Sequence, residues 1–319
     1  MRLTSALRWA GTVPLAAAAM LVPAITAAPP PAAAATQICQ ASPVNGQTNA
    51  ALASKLSADI SKALTGRAGA VAVDVNDPHE GIICHLNADQ HFYSASVVKA
   101  TILGALLHKA EAQGRHLTAH EKSLAKSMIT VSDNNAATAL WNDVGRTWLQ
   151  KFLTLASMHD TVLGPGGYWG LTQITAHNES VLLWDLLTPG SLLTPADQAY
   201  ELSLMSQVVS SQRFGVPDGA PAGYTVHVKN GWAPLPSSSD PWYVNSIGCF
   251  TEGDGSKDYS IVVLTHQTPA HPTFSYGVTT IQGVAVVVHR DLNGPLAGVP
   301  QATPSATGAA SNAPIPPGG

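Results

Sequence analysis

"FYSASVVKATILGALL", residues 92–107, carries apolar side chains on every side of a helix: Val97, Val98, Ala100, Ile102, Leu103, Ala105, Leu106 and Leu107. That pattern belongs to a helix enclosed by its domain, not to one lying on a surface. Ser96 and Lys99 interrupt it. Three apart near the helix start, they project from one face of the first turn. A lysine seldom sits deep in a protein without a partner or a task. The pair is therefore either a reaction centre or a cap beside a snorkelling charge.

Ser-x-x-Lys alone does not decide between them, because it recurs at Ser123 and Lys126 in a charged, amphipathic segment that reads as a solvated helix face. Two other stretches bear on the choice. "VSDNNA" places Ser132, Asp133 and Asn134 ahead of a helical run, where Ser and Asp also serve as caps. "VHVKNGW" brings Lys229, Asn230, Gly231 and Trp232 to a strand end, and the glycine permits close backbone approach. Each has a bland explanation by itself. In this order, at a helix start, in a loop between helices and on a late strand, they form the motif set of penicillin-recognising serine enzymes.

On these motifs the chain resembles the class A β-lactamase family, with its broader β-lactamase-like serine hydrolases, over about residues 45–290. The resemblance implies an α/β (α+β) fold: a five-stranded antiparallel sheet flanked by helices, with an all-helical lobe inserted at about residues 96–220. The order of segments agrees independently: helix, two strands, helical block, three strands, closing helix. Hairpins at both ends of the domain suggest one antiparallel sheet with helices on its faces.

The residue types suit the implied chemistry. Ser96 is the expected nucleophile, and a serine hydroxyl needs a base to remove its proton. Lys99 can be that base if burial and a neighbouring cation, Lys229, lower its pKa. Ser132 is expected to pass a proton to the leaving nitrogen, with Asn134 holding the acyl side-chain amide and Asp133 fixing the loop. Lys229, Asn230, Gly231 and Trp232 are expected at the substrate. By resemblance, the backbone N–H groups of Ser96 and Trp232 form the oxyanion hole.

The chain also departs from the family. Class A β-lactamases carry a loop glutamate that activates the water releasing the acyl group. The corresponding stretch here reads "TVLGPGGYWG", without an acidic residue, and Glu179 beyond it is expected in the first turn of the next helix. Asn230 stands where the family usually has Thr or Ser. Ser132 follows Ser96 by 36 residues, a shorter gap than usual. Tyr168, Trp169 and Trp232 either line the cleft or pack the lobe. The expected activity is therefore a Ser96 acyl-enzyme on β-lactam or related amides, with deacylation in doubt. Two alternatives are a D-alanyl-D-alanine carboxypeptidase acting on peptidoglycan stem peptides, and a non-catalytic module binding muropeptides or a partner.

Composition bounds the rest. The 319 residues allow one large domain or two modest ones. Charged residues make up 11% and the net charge is −4, which leaves no electrostatic footprint for nucleic acid. Arg2 and Arg8 precede an apolar run and the small-residue stretch "AAPPPAAAATQIC", the layout of a secretory signal over residues 1–35. Pro14 and Pro23 interrupt that run, so no membrane span is expected to remain after cleavage. Residues 36–290 form the expected working domain of a secreted monomer. Residues 291–319, rich in Pro, Ala and Gly, form an expected disordered tail.

Cys39, Cys84 and Cys249 allow one disulfide and one free thiol in an oxidising compartment. Cys39 and Cys84 meet if the first helix packs antiparallel to the sheet. There is no CxxC or HExxH, and the twelve histidines show no ligand spacing, so neither a metal nor a cofactor is expected.

Overall fold

Alternating and continuous apolar runs fold, in this computed structural model, into eight strands and eight helices among the described residues, which are 37–234, 241–253, 255 and 257–294. In chain order these are β1 (Cys39–Ala41), α1 (Ala50–Ala63), β2 (Ala70–Asp77), β3 (Ile82–Leu86), β4 (Phe92–Tyr93), α2 (Val98–Ala112), α3 (Ala119–Thr130), α4 (Asn134–Val144), α5 (Arg146–Leu155), β5 (Gln173–Ile174), α6 (Ala176–Leu187), α7 (Pro195–Ser206), β6 (Thr225–Pro234), β7 (Trp242–Thr251), β8 (Tyr259–His266) and α8 (Phe274–Asn293). The expected signal at residues 1–35 lies outside the described residues; of the tail expected at 291–319, residues 291–293 instead complete α8 and those beyond 294 lie outside the described residues.

The main sheet runs β1-β3-β2-β8-β7-β6, and every pairing in it is antiparallel. α1 and α8 pack together over one face, while α6 packs against β2, β7 and β8 on the other. β8 is consequently buried along its length up to His266, as a strand covered on both faces must be.

The sheet has six strands where five were expected. The additional one, β1, is three residues long, too short to show an alternating pattern, and it borrows its stability from β3. Their register sets Cys39 opposite Cys84, and the two form a disulfide. The expected pair is therefore made directly across two strands and not by a helix folding over the sheet. Cys249 is free and buried. The bridge closes a loop spanning 45 residues of sequence separation, and closure on that scale typically stabilises by about 2–4 kcal/mol. Cys39→Ala is expected to lower unfolding stability by that amount in urea titrations. An unchanged midpoint would show that the bridge contributes nothing.

The inserted lobe is built around α2, which is buried on all sides from Val98 to Leu107 and is ringed by α3, α4, α5 and α7. Local signals set its boundaries. Thr118 and Glu121 form a reciprocal capping box that starts α3, and Asp133 caps α4 by accepting from Ala136 N at 2.8 Å. No helix among the described residues is long and apolar enough to cross a membrane.

Candidate active site

Ser96 lies in a single 3₁₀ turn, Ala95–Val97, that runs directly into α2. Ala95 takes a left-handed backbone, φ 45°, a conformation that costs a non-glycine residue about 1–2 kcal/mol. Surrounding structure holds it there. Ser94 N donates to Thr172 O at 2.8 Å, and Val97 N donates to Ser94 O at 3.1 Å. Asn245, buried on β7, donates from Nδ2 to Tyr93 O at 2.9 Å and reaches Ser94 O at 3.4 Å. The turn is fixed from the sheet side and from the loop side, with Ser96 half-buried at its apex.

One helical turn on, Lys99 is fully buried. Its Nζ lies 2.7 Å from Ser132 O, 3.0 Å from Ser132 Oγ and 2.7 Å from Asn134 Oδ1. A neutral amine has two N–H groups and one lone pair. The two carbonyl oxygens take both donors, so the lone pair is left for a hydroxyl. Burial holds Lys99 well below the usual lysine range; Lys229 pushes it the same way and Asp133 opposes.

Ser132 also has a left-handed backbone, φ 57°, which turns its hydroxyl between two lysines. Lys229 Nζ donates to Ser132 Oγ at 3.1 Å and to Asn230 O at 2.8 Å. Lys229 is itself fully buried, and burial pushes it down to about 7. Lys229, Ser132 Oγ and Lys99 thus form a continuous hydrogen-bonded chain along which a proton can travel.

Gly231 closes the site on the strand side. A Cβ there would lie 2.6 Å from Ser94 O and 2.7 Å from both Ser96 N and Val97 N. The edge of β6 therefore approaches the serine turn as closely as a glycine allows. That brings the Gly231 backbone to the Ser96 amide, with Trp232 next along the strand. The Trp232 ring packs edge-on to Phe214 at 5.3 Å and against Phe274 at 5.6 Å, which agrees with a packing role. Asn230 points elsewhere: its Nδ2 donates to Gln212 O and Phe214 O, both at 2.8 Å. Its amide braces that segment.

The loop between α5 and β5 brings an aromatic face to the site. Trp169 is buried, donates from Nε1 to Thr138 Oγ1 at 3.1 Å, and sets its ring 4.7 Å from Lys99 Nζ. Arg146 anchors the loop through Gly164 O at 2.6 Å and Leu163 O at 3.2 Å. Glu179 lies in the first turn of α6 as expected. It is fully buried, neither carboxylate oxygen has a hydrogen-bond partner among the described residues, and burial pushes it up to about 8. Such a carboxyl is neutral at pH 7. The decoy pair Ser123 and Lys126 is exposed on α3.

The structure thus gathers Ser96, Lys99, Ser132, Asn134, Lys229, Gly231 and Trp232, and turns the side chain of Asn230 away. Asn245 was missed, although an Asn within the apolar strand "WYVNSIGCF" is a usable signal, since a buried amide must find partners. The contact of Trp169 with Lys99 left no sequence trace beyond the residue type.

Comparison with known proteins bears on the family and the fold. A family model described as the beta-lactamase enzyme family matches residues 51–121 and 114–291. No curated protein matches the chain in sequence. A class A β-lactamase representative from Bacteroides cellulosilyticus is 18% identical with a TM-score of 0.64, covering 75% of this chain and 97% of that one. A β-lactamase from Sphaerobacter thermophilus is 20% identical with a TM-score of 0.61, over 75% and 96%. The structure titled PBP-A is 18% identical with a TM-score of 0.62, over 74% and 94%.

Proposed function

Since the chain belongs to the beta-lactamase enzyme family, we propose that it is a secreted serine hydrolase that forms an acyl-enzyme on Ser96 with β-lactam or related amide substrates and releases it slowly. The observation that carries this reading is the chain Lys229–Ser132–Lys99 beside Ser96, with both lysines held below their usual range by burial.

The chemistry follows from those contacts. Neutral Lys99 takes the Ser96 hydroxyl proton as Oγ bonds to the substrate carbonyl carbon. Negative charge develops on the carbonyl oxygen beside the Ser96 amide and the β6 edge. The C–N bond then breaks, and the nitrogen receives a proton from Ser132, which Lys99 resupplies. Charged Lys229 attracts a substrate carboxylate.

Slow release rests on what faces Lys99 from the α5–β5 loop. The group there is the Trp169 ring, which cannot accept a proton from water. Glu179 is buried, unpartnered and neutral. Incubation with a β-lactam, followed by intact mass, is expected to show one adduct that persists through the incubation and maps to Ser96. A transient adduct with accumulating hydrolysed product would overturn slow release. No adduct at all would favour a binding module, and release of D-alanine from a stem pentapeptide would favour a carboxypeptidase.

A further inference from the structure

Outside this site, Asp74 on β2, His85 on β3 and His177 in the first turn of α6 converge. We propose that these three residues form a binding site for one divalent transition-metal ion, a reading independent of the Ser96 chemistry.

The convergence is built by the fold. Asp74 and His85 are direct cross-strand partners in the β2–β3 ladder, so their side chains share one face. His177 is brought in by the loop after β3, where its backbone N–H donates to Ala88 O at 3.0 Å. Asp74 is 1% exposed, flanked in its strand by the buried Val73 and Val75. A carboxylate in that setting requires a positive partner.

Both imidazoles aim at the same atom. His85 Nδ1 lies 2.8 Å and His177 Nδ1 3.7 Å from Asp74 Oδ2, and the three donor atoms lie within 4.8 Å of one another. Metal–ligand bonds of about 2.0–2.1 Å give tetrahedral edges of roughly 3.3–3.4 Å. The observed separations straddle that value, so small rotations of half-exposed rings suffice to take an ion. A carboxylate with two imidazoles is a donor set suited to Zn²⁺ and its transition-metal neighbours. It also leaves coordination positions open. Both imidazoles line a cavity of about 510 Å³ together with Asn87, Ala88, Asp89 and Gln90, which has room for an ion and completing waters. The ligands are 11 and 92 residues apart along the chain, so no spacing motif announces them.

The full chain, stripped with a chelator and titrated with Zn²⁺ by calorimetry, is expected to bind one ion. Cu²⁺ in its place should give a paramagnetic resonance signal split by two nitrogens. His85→Ala and His177→Ala, both at half-exposed positions, should each weaken Zn²⁺ binding at least tenfold, while His91→Ala leaves it unchanged. Circular dichroism confirms that the variants are folded. Failure of the native chain to bind Zn²⁺ saturably, or equal binding by the folded His177→Ala variant, would reduce the cluster to an ion pair and overturn the proposal.

Discussion

Replacing Lys99 by methionine is expected to slow acylation of Ser96 by about 10³-fold, within the range a positioned general base contributes, without lowering the melting temperature at pH 7. The two halves of this result have one cause. Lys99 is fully buried, and burial holds its pKa in the folded protein well below the ordinary lysine value of 10.5. Between the folded pKa and 10.5 the unfolded chain binds more protons than the native one, so stability rises with pH across that window. Across that window, burial of the amine costs the native protein stability. Methionine removes that cost and keeps the packing volume. Against this, Ser132 O and Asn134 Oδ1 lose their donor, which offsets part of the gain. Stopped-flow acylation with a chromogenic β-lactam measures the first half, and thermal melts at pH 7 and pH 9 measure the second. The native acid limb of the rate profile should belong to Lys99. The basic limb should fall near 7, where Lys229 loses its charge, and Lys229→Arg should remove it because arginine stays protonated. Acylation by Lys99→Met within tenfold of native would hand the base role to another group.

What was legible in the sequence, and what was not, divides along the reach of local signals. The α2 helix, the capped start of α4 and the order of strands could be read because apolar period and capping residues act within a few positions. Ser96, Lys99, Ser132 and Lys229 could be read because each sits in a motif whose spacing is fixed by the element carrying it. β1 escaped because three residues hold no period. The support shell escaped for a different reason. Asn245 acts on Tyr93 and Ser94, about 150 residues away in the chain, and Trp169 meets Lys99 only because Arg146 and Thr138 fix its loop. The orientation of Asn230 was equally hidden. The sequence places it beside Lys229 and Gly231, and only the carbonyls of Gln212 and Phe214 decide which way its amide turns. Residues whose task is set by a distant backbone group carry no mark of it in their own neighbourhood.

Gly231→Ala is the sharpest test of how the serine turn and the strand edge work together, and acylation is expected to fall about 10²–10³-fold, the loss typical of disabling an oxyanion donor. Gly231 does not need glycine for its own backbone, since its φ lies outside the left-handed region. The demand is purely steric. The added methyl would sit 2.6–2.7 Å from Ser94 O, Ser96 N and Val97 N, and these are backbone atoms that no rotamer change can move. The turn cannot yield, because Asn245, Thr172 O and the internal bond from Val97 N pin it on both sides. β6 must therefore retreat, although its register with β7 runs unbroken from Thr225 to Pro234. Its retreat draws the Trp232 backbone away from the Ser96 amide and shifts Lys229, two residues before Gly231 on the same strand, while Lys99 on α2 stays in place. The acid limb of the residual rate, set by Lys99 on α2, should consequently match native, which separates this variant from Lys99→Met. The loss should appear in the acylation rate more than in substrate affinity, since charge develops on the carbonyl oxygen only as the reaction proceeds. A Gly231→Ala protein that acylates within threefold of native would show that the contact between β6 and the serine turn has no part in the chemistry.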